Sequence, residues 1–124
     1  MYYERLSLEV IAAKQHWQVQ SPPVITGRSG VTHHFDFVAM NGGERLVFDI
    51  CETLSETEVI KSFIKKLDTG ASSYIICKDE RIAPGASKLA AEYGLRVIHS
   101  NSIEATFKAR ELETRSQTRR LAAA

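Results

Sequence analysis

Two aspartates set inside hydrophobic, strand-like runs are the residues of this sequence best placed to do chemistry. Asp36 lies in HHFDFVAM and Asp49 in RLVFDIC, with NGGE between them. Asn41-Gly42-Gly43 is turn chemistry between two apolar stretches and predicts a hairpin. Burying an unpaired carboxylate costs several kcal/mol, so acids in such runs are rarely there for packing. Side chains alternate across a strand with period two. On that pattern Phe35, Phe37, Leu46, Phe48 and Ile50 share the core face, while His34, Asp36, Val47, Asp49 and Cys51 share the other. Two carboxylates from adjacent strands then converge on one spot, the minimum needed to hold a divalent metal such as magnesium.

Other residues surround that pair. His34 shares the face of Asp36 and can bind a substrate phosphate; entering a strand beside His33, it also reads as an ordinary surface histidine. The loop Gly27-Arg28-Ser29-Gly30 can offer backbone amides, Ser29 and the Arg28 guanidinium to a phosphate, or be a plain turn. Lys61, Lys65 and Lys66 form the solvated face of a helix, from which Lys65 can reach the acids or simply pair with one of them. Cys51, His33, His34, Cys77 and His99 follow no standard zinc spacing, and zinc is not expected.

The elements that must position these groups follow from periodicity. Leu6, Val10, Ile11 and Ala13 recur at helical spacing between Tyr2 and His16. A weak strand begins at Trp17, Pro22 and Pro23 interrupt it, and Ile25 falls on an edge or bulged segment. After the hairpin, Ser55-Glu56-Thr57-Glu58 caps a helix whose apolar stripe is Val59, Ile60, Phe63, Ile64 and Leu67, stopped by Gly70. Ser73 to Cys77 reads as a buried strand, Ala86 to Tyr93 as a helix ended by Gly94, and Leu95 to Ile98 as the last strand. A final helix capped at Ser100 or Ser102 carries Ile103, Phe107 and Leu112, an apolar set suited to self-association if exposed. Antiparallel strands followed by αβαβ alternation predict an α/β fold with a mixed central sheet and helices on both faces.

The chain has 124 residues, 44% hydrophobic and 25% charged, enough for one core. A net charge of +1 does not announce a nucleic-acid binder, so any basic surface is local. Lys108, Arg110, Arg115, Arg119 and Arg120 make the tail modestly basic, offset by Glu111 and Glu113. Two widely spaced cysteines in apolar runs read as reduced thiols, and no apolar run reaches the roughly 18 residues of a membrane span, which points to a cytoplasmic protein.

In this order of elements and acids the chain resembles the PD-(D/E)XK, or restriction-endonuclease-like, nuclease superfamily over roughly residues 2 to 100. Gly27-Arg28-Ser29-Gly30 followed by His33-His34-Phe35-Asp36 is similar to the glycine-rich lead-in and first acidic strand of its type IV restriction and archaeal Holliday junction resolvase branches. The resemblance implies a restriction-endonuclease-like domain at residues 1–100 and a C-terminal helix and charged tail at 101–124. It implies that Asp36 and Asp49 bind magnesium, with manganese as substitute, and that Arg28, Ser29 and His34 meet substrate. The lysine expected two residues after the second acid falls on Cys51, a departure that leaves Lys65, or Lys61, as a migrated replacement. Glu4 or Glu52 would add a further carboxylate.

Two functions follow as expectations: a metal-dependent nuclease acting on DNA or RNA with Asp36, Asp49 and Lys65 as catalytic residues, or a catalytically degenerate nuclease-fold module for nucleic-acid or protein binding and assembly. A homodimer and no membrane association are expected in either case. A small α/β ligand-binding domain is a remoter third reading, unsupported by any dinucleotide or P-loop fingerprint.

Overall fold

The turn at Asn41-Gly42-Gly43 organises the sheet, because Gly42 at φ 61° supplies the left-handed conformation that the reversal requires. It joins β4 (Phe37–Asn41) to β5 (Glu44–Cys51), antiparallel with Phe37 opposite Phe48 and Asn41 opposite Glu44. In this computed structural model, which describes residues 2–78, 82–99, 102–105 and 107, the chain begins with α1 (Tyr2–Lys14), β1 (Gln18–Val19), β2 (Val24–Thr26) and β3 (Thr32–His34). After the hairpin come α2 (Glu56–Thr69), β6 (Ser72–Cys77), α3 (Ala86–Glu92) and β7 (Arg96–His99).

Five strands form one mixed sheet in the order β1-β4-β5-β6-β7, antiparallel as far as β5 and parallel from β5 to β7. The α/β architecture with helices on both faces is therefore present. On one face Leu8 and Ala12 of α1 pack with Trp17, Phe37, Leu46, Phe48, Tyr74 and Ile76. Phe48 centres this layer, stacked on Tyr74 with ring centroids 5.1 Å apart and on Phe107 at 5.6 Å, and meeting Phe37 edge-on at 5.8 Å. On the other face Val59 of α2 and Ala86 and Ala90 of α3 cover Ile75 and Cys77. Parallel strands covered on both sides are continuously apolar, as SSYIIC is.

Several expectations are corrected. The run HHFDFVAM is not one strand: β3 ends at His34, and Phe35 and Asp36 form a bend before β4. β3 belongs to a separate two-stranded ribbon with β2, in which Ile25 faces His33. The bend also breaks the alternation, so Phe35 packs with Ile25, Val38, Val47 and Ala71 rather than with Phe37. Among the described side chains of α1, Leu8 and Ala12 are buried, whereas Val10 and Ala13 are exposed. In α2 Ile60, Ile64 and Leu67 face outward, and Ser62 takes a buried place beside Val59. Ile103 and Phe107 are buried in the α1 layer, which removes them as a self-association face. Leu112 and the basic stretch from Lys108 to Arg120 lie outside the described residues.

Candidate metal and catalytic site

Asp36 is held by the strand it precedes. Its amide donates to Phe48 O at 3.0 Å, and its Oδ2 accepts from Ile50 N at 2.7 Å. The carboxylate thus takes the place of a ladder carbonyl and extends the hairpin by one step, to the level of Asp49. Its Oδ1 accepts no hydrogen bond among the described residues.

Asp49 is reached from α2. Ser55 caps that helix by accepting from Glu58 N at 3.2 Å, and Gly70 at φ 71° ends it with its amide on Lys66 O at 2.8 Å. So anchored at both ends, α2 presents Ser62 and Lys65 to the sheet. Ser62 Oγ donates to Asp49 Oδ2 at 2.9 Å, and Lys65 Nζ lies 2.8 Å from Asp49 Oδ1. Lys65 also donates to His34 O at 2.9 Å and sits 4.6 Å from the centroid of the Phe35 ring. An ammonium held by a carboxylate, a carbonyl and a π face has one defined position.

The structure thus brings Lys65 onto Asp49 through α2, while the Asp36 carboxylate is held on the Ile50 amide of the neighbouring strand. α2 also supplies Ser62, which no sequence pattern singles out: a serine one turn before Lys65, at a helix position that faces the sheet. Lys61 is exposed, as are Glu52 and the His34 side chain. The side chain of Glu4 lies outside the described residues. No group of three or more His, Cys, Asp or Glu is arranged to hold a metal among the described residues. The candidate donors are therefore two carboxylates at most, and both oxygens of one of them, Asp49, already accept from Ser62 and Lys65.

Cys51, in the place of the motif lysine, is half-buried opposite Cys77. Burial first, then Cys77, Glu58 and Asp49, push its thiol up to about 12. It is a neutral thiol at physiological pH and supplies no charge to the site.

The Gly27 to Gly30 loop does bind an anion, and that anion is Asp68 of this chain. Ser29 donates its amide to Asp68 Oδ1 at 2.9 Å and its hydroxyl to Oδ2 at 2.6 Å, and His33 Nε2 lies 2.6 Å from the same Oδ2. These bonds, Ser29 foremost, hold the Asp68 carboxyl down to about 2. Gly27 is required because a Cβ there would fall 2.0 Å from Asp68 Oδ2. Arg28 donates its amide to Asp68 O at 2.9 Å, and its side chain is exposed.

No protein-family model matches this chain, and no curated protein is significantly similar to it. No described helix is long and apolar enough to cross a membrane.

Proposed function

We propose that this protein is nuclease-like and processes nucleic acids, hydrolysing phosphodiesters with magnesium on a restriction-endonuclease-like core. The reading is carried by the contact between Lys65 and Asp49 at 2.8 Å, which sets a fixed ammonium beside the second acid although the usual motif position is Cys51. The order of a hairpin, then α2, then β6 is consistent with that core.

In this scheme Asp36, through its Oδ1, and Asp49 would hold the divalent ion, which when bound stabilises charge on the phosphate and lowers the pKa of a water. Lys65 lies beside Asp49 and presents positive charge to the reacting phosphate, an electrostatic donor of the kind whose loss costs about 10²-fold or more in rate. Ser62 and the Ile50 amide fix the orientation of the two carboxylates. The exposed Arg28 and His34 side chains are the candidates to meet the DNA or RNA backbone. The protein would work in the cytoplasm, and a homodimer would present two such sites.

A second reading rests on a specific observation: both oxygens of Asp49 already accept from protein donors, Lys65 and Ser62. A nuclease-fold module that has lost catalysis and serves in binding or assembly would keep this network as structure. A cleavage assay on branched and linear DNA with magnesium separates the two. Product formation by the wild type that falls at least about 10²-fold in Lys65→Met supports the enzyme; no cleavage with magnesium supports the module.

A further inference from the structure

Three of the seven large hydrophobic side chains exposed among the described residues lie on one stripe of α2: Ile60 at 43%, Ile64 at 56% and Leu67 at 61% exposure. Their spacing stacks them along about two turns of the helix, on the side away from the buried Val59 and Ser62. Apolar residues scattered singly over a surface need no explanation, but a contiguous stripe does. Ser55 and Gly70 cap α2 at both ends and hold the stripe rigid, and none of its residues belongs to the Asp36 and Asp49 site.

The charges beside the stripe point to what covers it. Lys61, on one flank, is exposed and pairs with no carboxylate among the described residues. Asp68, two turns further on the same flank, is ionised and partly exposed. It accepts three bonds, two from Ser29 and one from His33, and a carboxylate has about four acceptor positions, so one more donor can be received. Lay a second α2 antiparallel across the first with the two-fold axis at Ile64. Ile60 then falls opposite the partner's Leu67, Ile64 opposite the partner's Ile64, and Lys61 beside the partner's Asp68. The same arrangement turns the acidic first turn, Glu56 and Glu58, toward the end of the partner helix that carries Lys66, and it opposes the two helix dipoles. A parallel pairing would set like charges side by side. A face complementary to itself in both its apolar and its charged positions is what an isologous contact requires.

We propose that α2 is the contact of a symmetric homodimer, with a second copy of this chain as its occupant. The proposal rests on the nuclease reading only for what the dimer serves, and its test reads association alone, so failure to pair and failure to cleave are told apart. Two turns of helix cover less than the roughly 800 Å² per partner of a standard interface, so the association is weak and reversible, with Kd about 10–100 µM.

The test is sedimentation equilibrium of the full chain from about 5 µM to about 1 mM, a range that brackets this Kd. The average mass should rise from 13.9 kDa toward twice that value. Ile64→Glu sets like charges against each other at the axis on a side chain that is already exposed. It should keep the circular dichroism of the wild type and weaken dimerisation at least about tenfold. Ile64→Cys should crosslink to its own copy under oxidised glutathione, because the axis brings the two Cα atoms within about 7 Å. The wild type, with Cys51 half-buried and Cys77 buried, should not crosslink. A monomer throughout the range, dimerisation of Ile64→Glu equal to that of the wild type, or a dimer in which Ile64→Cys does not crosslink would overturn the proposal.

Discussion

Lys65 Nζ lies 2.8 Å from Asp49 Oδ1, although the two residues are carried by different elements, α2 and β5. Both side chains are about four-fifths buried, at 20% and 18% exposure, and the ammonium has two further supports in His34 O and the Phe35 ring. A lysine serving only as a solvated helix face would not be held on three sides, and this placement underlies the functional reading.

If Lys65 stands in for the lysine missing at Cys51, the two positions should be exchangeable. Lys65→Met should lower metal-dependent cleavage by about 10²-fold. Adding Cys51→Lys in the same chain should restore at least about tenfold of that loss, since the new ammonium enters from β5, two residues from Asp49. Single-turnover cleavage rates of the two variants, beside that of wild type, decide it; a double variant no faster than Lys65→Met would mean that Lys65 does not fill that role.

The same substitution has a stability consequence independent of catalysis. Removing one partner of a largely buried pair costs more than the roughly 0.2–1 kcal/mol of an exposed one, up to about 3–5 kcal/mol when the other charge is left fully buried. Lys65→Met should therefore lower Tm clearly, while Lys65→Arg, which keeps the charge, should recover most of that loss. A Tm unchanged in Lys65→Met would show that the pair contributes nothing to stability.

The clamp on Asp68 makes a pH prediction. Its folded-state carboxyl is held down to about 2 from 3.8, so the stability it contributes is fully present above the unfolded value and is lost as pH falls through about 2. Between about pH 4 and pH 2 the ribbon of β2 and β3 should release from α2, and Asp68→Asn, which removes the titrating carboxyl, should abolish that transition and leave the ribbon loosened at neutral pH. The NMR signals of Ser29 and His33, followed against pH, report it. Gly27→Ala should loosen the same ribbon at neutral pH, because the added methyl occupies the space of the carboxylate.

Phe107 is fully buried against Phe48 and Trp17. Phe107→Ala should cost about 3–5 kcal/mol, as a large-to-small change in a packed core does. Chemical denaturation should show that loss with no change in oligomeric state. Dissociation of a dimer without loss of stability would place Phe107 at a subunit contact instead.

Much of the fold was legible in local chemistry. Ser55, Gly70 and the turn at Gly42-Gly43 mark their boundaries because capping and positive φ are local requirements, and SSYIIC reads as a buried strand because nothing polar interrupts its centre. What failed depended on tertiary context. The bend at Phe35 and Asp36 arises because the Asp36 side chain replaces a ladder acceptor, a substitution that no alternation pattern reveals. The outward turn of Ile60, Ile64 and Leu67 was hidden because α2 carries apolar residues around more than one face, and its phase is set by Ser62 and Lys65 meeting Asp49. The reach of Lys65 to Asp49 was readable as a candidate contact. The capture of the Ser29 loop by Asp68, 39 residues away, was not.

Calorimetric titration of magnesium and of manganese into the wild type and into the Asp36→Ala/Asp49→Ala variant, each checked for folding by circular dichroism, tests for a metal site at these two acids. Saturable binding to the wild type that disappears in the folded variant is the predicted result. Absence of binding to the wild type, or equal binding to both proteins, would contradict a metal site at Asp36 and Asp49.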